Sequence, residues 1–514
     1  MSQTFHDDDP VSNPSTHDHL HDLVERAVVA QPSRRRLLQA GLGAAVIPFL
    51  SGVPAAAAAS TRTAPAVAER MLGFQAVATA TGDEVVVPAG YRAVPMLPWG
   101  EPIDARGPAF RPDAGNSAAD QERQLGDNHD AIEFFGFNAG RSGFGDRSDE
   151  GLLVINHEYI NPEYFYAPDS DPADWMKPFS LEKARKAQAA HGVSVVHVRR
   201  NAKGDWEHVK ASRYNRRIHG NTAIALQGPA AGHPLVRTAA DPEGRTVLGT
   251  LINCGDGRTP WGTYLTCEEN FNGYFGWNGE RKPSALESRY GLTQAGFGYQ
   301  WHTVDPRFDL NATPNEPNRH GWVVEIDPFA PESRPVKRTA LGRFKHENAA
   351  LVIAPDGKVV VYMGCDERNE YLYKFVSAGT FDRRNPASAA NRELLSAGTL
   401  YVARLDAGST AGDRMGSGTW IPLVHGEGGL SEANGFTSQG DVLMRARQAA
   451  DRVGATMMDR PEWVAANPRK PGEVFLTLTN NNRRVAEGGS SNQPDGSTAA
   501  GSARPAVDEA NPRA

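Results

Sequence analysis

Apolar runs in this chain are short and rich in β-branched residues, and glycine or proline soon interrupts them; there are 52 Gly and 36 Pro among 514 residues. Such punctuation rules out a core of long helices and calls for many short strands joined by turns. The runs Gly151–Tyr159, Val193–Val198, Gly262–Thr266, Gly321–Ile326, Lys358–Met363, Thr399–Leu405 and Gly472–Leu478 each read as a strand. Pro355-Asp356-Gly357 and the stretch from Asn467-Pro468 to Gly472 supply hairpin-type turns. Strands spaced in this way suit a propeller, a large sandwich or a β-helix, and a propeller whose blades have diverged is the preferred reading. Helix is sparse, clearest over Asp441–Val453, with Ser438 and Asp441 as candidate caps, and over the basic Leu181–Ala190, placed at the surface. Residues 101–128 and 485–514 read as loop or disorder.

The N-terminus reports where the protein works. Ser33 to Gln39 reads SRRRLLQ, an apolar small-residue run follows from Gly41 to Leu50, and Ala55–Ala59 offers an A-x-A-like cleavage zone. This is a twin-arginine export signal, too short and glycine-rich for a spanning helix. It predicts passage of an already folded chain through the twin-arginine translocase into the periplasm or medium, with no stable membrane insertion. Three cysteines, Cys254, Cys267 and Cys365, cannot all pair, so at least one thiol is left over. A net charge of −7 argues against nucleic-acid binding, and an anionic substrate would need bound cations or well-placed arginines.

Chemistry-bearing residues recur where these strands meet loops. The clusters are Asn156-His157-Glu158-Tyr159, Cys267-Glu268-Glu269, Lys345-His346-Glu347-Asn348, Asp366-Glu367-Arg368-Asn369-Glu370 and Asp459-Arg460-Pro461-Glu462-Trp463. Singly, each has an ordinary reading as a satisfied strand end, a solvated turn or a surface ion pair. Together each brings a carboxylate, and acids that converge need metal. Neighbouring side chains on a strand point to opposite faces, so Cys267 and Glu268 can serve one site only if the strand ends or twists there.

The motifs NHEY, NCGDGRTPWGTYLTCEENFNGYF, GRFKHENA, DERNEYLYKFV, RPEW and GEVFLTLTNNNRR, in this order from Asn156 to Arg484, resemble the PhoX family of secreted alkaline phosphatases. The resemblance implies an all-β, six-bladed propeller with long inserted loops and a few short helices over 61–484, behind a signal segment at 1–60. It implies a monomeric phosphatase that hydrolyses phosphate esters with Ca2+ and Fe3+ held on the axis. Carried onto this chain, Cys267 is the iron ligand, and Glu158, Glu268, Glu347 and Glu462 bind iron and calcium. Arg460 holds the phosphate through a planar fork that Lys cannot reproduce. Asn221 is a further catalytic candidate and Asp366 a further ligand, while His157 and His346 support the ligands. The chain stops at Asn511-Pro512-Arg513-Ala514, where the resemblance implies a loop into another strand, so 485–514 is expected to be a shortened segment and the last blade incomplete. Cys365 departs from the family pattern, which has a small or acidic residue there. Two other classes fit the carboxylates: a calcium-stabilised propeller that binds without catalysis, and a propeller hydrolase of another ester. Neither needs a thiolate, so Cys267 disfavours both.

Overall fold

The computed structural model describes residues 74–166, 174–407 and 415–481, with the backbone of two paired strands, Ser490–Asn492 and Thr498–Ala500, in the expected tail. The twin-arginine segment, Arg483 and Arg484, and the rest of 485–514 lie outside the described residues. The chain divides into two compact units at Pro95/Met96. In the first, 74–95 is described; it is extended, with a turn from Pro88 to Tyr91 and an edge-on contact of Phe74 with Tyr91.

The second unit is mostly sheet. In the first sheet, β1 (His129–Gly136), β2 (Glu150–His157), β3 (Gly192–Arg200) and β4 (Trp206–His208) follow in order, and β5 (Arg216–Ile218) also pairs with β3. The second contains β6 (Ala223–Gln227), β7 (Thr246–Leu248), β8 (Asn253–Arg258), β9 (Tyr264–Glu268), β10 (Val323–Ile326) and β11 (Val336–Arg338), in the order β7-β6-β11-β10-β9-β8. Only β6 and β11 run parallel in it. The third sheet joins β12 (Ala350–Ile353) and β13 (Lys358–Gly364), skips β14 (Arg368–Glu370), and continues through β15 (Leu372–Thr380), β16 (Gly398–Ala407) and β17 (Gly416–Pro422). β14 instead pairs with β18 (Met458–Asp459), and β19 (Pro461–Ala466) forms a hairpin with β20 (Val474–Leu478).

All seven expected strands are present, and the Asp356-Gly357 turn forms with Gly357 at φ +85°. The edge strands turn toward one another: β1 and β2 pack on β8, β8 on β12, and β12 and β13 on β19. Apolar side chains fill the space between sheets, with Leu265, Val323, Phe344, Val361 and Tyr373 in one fully buried core.

The helices depart from expectation in two places. Ser438 caps as predicted, its side chain accepting from Asp441 N–H, but the segment is two helices, Gln439–Met444 and Ala446–Val453, broken at Arg445. Leu181–Ala190 is a helix but not a surface one. Ala184 and Ala187 are fully buried, and Lys186 turns inward to donate from Nζ to the carbonyls of Ala114 (2.7 Å) and Phe165 (2.8 Å). A lysine's long apolar stem lets a basic helix bury its flank in this way. Among the described residues no helix is long and apolar enough to cross a membrane.

Candidate metal centre

The edge strands deliver acids to one place because of how antiparallel pairs end. The start of one strand lies beside the end of the next. Asp130 is the second residue of β1, where the pairing with β2 is irregular between His129 and Ile132. Glu158 follows the last residue of β2 and is anchored by its N–H to the Asn128 carbonyl, 3.0 Å. Cys254 is the second residue of β8, within a second irregularity between Asn253 and Asp256, and Glu269 follows β9 with its N–H on the Ile252 carbonyl, 3.1 Å. Glu347 precedes β12 and Asp366 lies two residues beyond β13; the backbones cross-link through Glu347 N–H to Gly364 and Asp366 N–H to Lys345. Glu462 comes from β19.

Three overlapping groups result: Asp130, Glu158 and Cys254; Cys254, Glu269 and Glu347; and Glu347, Asp366 and Glu462. Within each, the potential ligand atoms lie within 4.8 Å of one another. Cys254 and Glu347 are the shared members, and the Cys254 thiol donates to Glu347 Oε2 at 3.4 Å. Two glycines permit the approach. A Cβ on Gly255 would sit 1.9 Å from the Glu347 carbonyl oxygen, and one on Gly364 would sit 2.5 Å from that of Glu462.

Such a concentration of acids is electrostatically unstable by itself. Burial, with Asp130 and Asp366 nearby, raises Glu158 to about 8. Burial, with Glu462 and Asp366, raises Glu347 to about 9. Glu269 is pushed well above the carboxylate range by burial and by Asp366. Burial and the surrounding carboxylates also hold the Cys254 thiol well above its usual range. Two carboxylates 4.8 Å apart repel by about 3.5 kcal/mol at an effective dielectric of 20. Protons or cations must relieve this. The donors suit hard cations at the oxygens, with one thiol for a metal that accepts sulfur.

Arg460 enters the same cluster. Its fork donates from Nε and Nη2 to the two oxygens of Asp366, both at 3.0 Å, and Nη2 is 3.7 Å from Glu462 Oε1. Its backbone lies in the left-handed region at φ +49°, an uncommon conformation for a residue with a side chain.

Glu158, Glu347, Asp366 and Glu462 thus come together, but Cys267 and Glu268 do not. Cys267 is fully buried in the apolar core with Leu265, Val323 and Phe344. Glu268 points to the other face. It pairs with Lys337 Nζ at 2.7 Å and accepts from the N–H groups of Gly321 and Trp322. Against the cost of burial, Lys337 and His320 draw its carboxyl down to about 2. Strand alternation separates the pair, and because β9 ends at Glu268 it is Glu269 that reaches the cluster.

Cys254 is the thiol that joins the cluster, and Asp130 a member that sequence reasoning passed over. The available signal was NCGDG, a thiol followed by a glycine able to let another backbone come close. Asn221 lies elsewhere: its amide oxygen accepts from Arg185, which also reaches Gln188 and Asp305. His157 bonds to Ser194 at 2.6 Å and His346 to the Gly342 carbonyl at 3.0 Å, both fully buried. Cys365 is likewise buried, 3.9 Å from Glu370.

A family model described as alkaline phosphatase PhoX matches residues 72–514. Among solved structures the chain is similar to Pseudomonas fluorescens PhoX in complex with vanadate, a transition state analogue. The two are 50% identical with a TM-score of 0.74, over 80% of this chain and 68% of that one. No curated protein matches.

Proposed function

The chain belongs to the PhoX family of alkaline phosphatases and is a metal-dependent phosphatase of phosphate esters, and we propose that the cluster around Cys254 and Glu347 is its metal centre. The convergence of one thiol and six carboxylates, Asp130, Glu158, Glu269, Glu347, Asp366 and Glu462, carries this reading. In it, Cys254 takes the place first given to Cys267 as the iron ligand, and Glu269 that of Glu268. The remaining oxygens hold calcium and iron, Ca2+ and Fe3+ in the family's pattern. The meeting of edge strands fits a propeller of six blades over 61–484, with this centre on its axis, exported by the twin-arginine route and acting as a monomer in the periplasm or medium.

When bound, such cations neutralise phosphoryl oxygens and activate water. The chain's own part is positioning. Cys254, Glu269 and Glu347 fix the middle of the site, because the backbones beside them are locked through Ile252 and Gly364. Arg460 shows how a phosphate would be held: the two Asp366 oxygens stand where two phosphate oxygens would lie in the same bidentate grip. Arg460 can release Asp366 to a cation and take the ester instead. Asn221, held by Arg185, has no part in this reading.

The test compares Cys254→Ser with Cys267→Ser by elemental analysis and by hydrolysis of a chromogenic phosphomonoester at alkaline pH. Cys254→Ser is expected to lose iron and at least a hundredfold in kcat, while Cys267→Ser keeps metal content and loses stability only. The reverse pattern would overturn the assignment. Family membership disfavours both the non-catalytic binding module and the hydrolase of another ester.

A further inference from the structure

At the opposite edge of the second sheet, beside β7, lies a cleft of about 1080 Å³. The strand order places β7 five strands from β8, which carries Cys254, roughly 24 Å at ordinary strand spacing. The cleft is therefore separate from the metal centre. Four arginines line it, Arg185, Arg237, Arg307 and Arg319, against two acids, Asp241 and Glu316. Both acids are taken by Arg319, through Nη1 to Asp241 at 3.1 Å and Nε to Glu316 at 3.0 Å. Arg185 is paired with Asp305 at 3.3 Å, which leaves Arg237 and Arg307 with unspent charge.

Arg307 is the most telling of them. It makes no ion pair among the described residues; Nη2 donates to the Gly220 carbonyl at 2.9 Å, Nη1 reaches that of Leu248 at 3.4 Å, and its buried Nε has no hydrogen-bond partner. Its guanidinium is stacked on Phe308, 4.5 Å from the ring centre. A cation set against carbonyls and a ring is held in place without being neutralised, and burial holds it below its usual range. Arg237 reaches the cleft from its exposed rim, its Nε on the Gly232 carbonyl. Between the charges the wall is apolar, formed by Ala239, Ala240, Pro242 and Pro314. The volume is just above the range that small-molecule sites usually show.

We infer that this cleft is a second anion site, which holds a phosphoryl dianion at Arg307 and Arg237. Two guanidiniums lining one cleft favour an oxyanion with several acceptor oxygens over a single carbonyl. The apolar wall gives room for the carbon skeleton of an organic phosphate, whereas free phosphate would use the arginines alone.

Calorimetric titration of the metal-loaded full chain with phenylphosphonate, a non-hydrolysable organic phosphate mimic, and with inorganic phosphate tests this. Two classes of site are expected. Arg237→Gln, at the exposed rim, and Arg307→Gln should each weaken one class at least tenfold while leaving kcat for a chromogenic phosphomonoester unchanged. Tighter binding of phenylphosphonate in that class assigns the organic ester, and equal or tighter binding of phosphate assigns the free ion. A single class that Arg237→Gln abolishes would refute anion binding at the metal centre and leave the cleft standing. Binding that neither variant alters, in one class or two, overturns the inference.

Discussion

Removing the cations should make the folded chain sensitive to alkali. Glu347 is 5% exposed and its carboxyl is raised from 4.5 to about 9. In the unfolded chain it ionises near 4.5; in the folded, cation-free chain it keeps its proton until pH 9. A group raised in this way contributes stability that is fully present below its unfolded value and is lost as pH rises toward its folded one. From pH 5 to 9 the folded state must either hold a proton that solution no longer favours or accept a charge beside Glu462 and Asp366. Four pH units at 1.36 kcal/mol each give about 5 kcal/mol, with Glu158, Glu269 and Glu347 sharing one repulsive field rather than adding. A chain of this size has an unfolding entropy of roughly 0.8 kcal/mol/K, so the loss is about 6 °C in Tm. The assay is thermal unfolding from pH 5 to 9 with a strong chelator and, in parallel, with saturating calcium and iron. The difference between the two curves isolates the cluster from every other titrating group. It should widen by about 6 °C toward pH 9; curves that stay parallel, or a chelated protein that gains stability in alkali, would refute the reasoning.

Other perturbations separate parts of the same structure. Lys337→Met leaves Glu268 ionised and buried without its main partner and should cost about 3–5 kcal/mol in urea unfolding. It should also flatten the acid limb, since a carboxyl lowered to about 2 contributes stability that is lost as pH falls from 4.5 through 2. Gly255→Ala forces the Glu347 backbone away and should weaken calcium and iron retention at least tenfold in equilibrium dialysis, at about 1–3 kcal/mol in stability. Arg460→Lys keeps the charge but loses the fork, so kcat/KM for a phosphomonoester should fall by about 10- to 100-fold, or roughly 1.4–3 kcal/mol.

How far the sequence carries depends on whether a signal is local. Strand runs and turns are local, and Lys358–Gly364 with its Asp356-Gly357 turn could be read directly. The acids at strand ends were also legible, since Glu158, Glu347 and Glu462 each stand beside a β run. Burial of the Leu181–Ala190 helix was not, because it depends on the carbonyls of Ala114 and Phe165 reaching Lys186. The thiol that lies with the acids was not foreseen for a related reason. Cys267 stands conspicuously beside two acids, yet its surroundings are set by Val323 across the strand pair, while Cys254 meets Glu347 only through a contact 93 residues away in sequence. Alternation along the strand was known in advance; which face was wet was not.

The triplet at the end of β9 therefore works as a sorter. Its first residue goes into oil, its second to a lysine and its third to the clustered acids, and the last two are identical in kind but opposite in proton affinity. Nothing about the side chains tells Glu268 from Glu269; only counting does. Insertion or deletion of one residue between Cys254 and Glu269 would exchange their surroundings, setting an acid in the apolar core and leaving Lys337 opposite the wrong neighbour. This stretch should tolerate many exchanges of residue type better than any change of length.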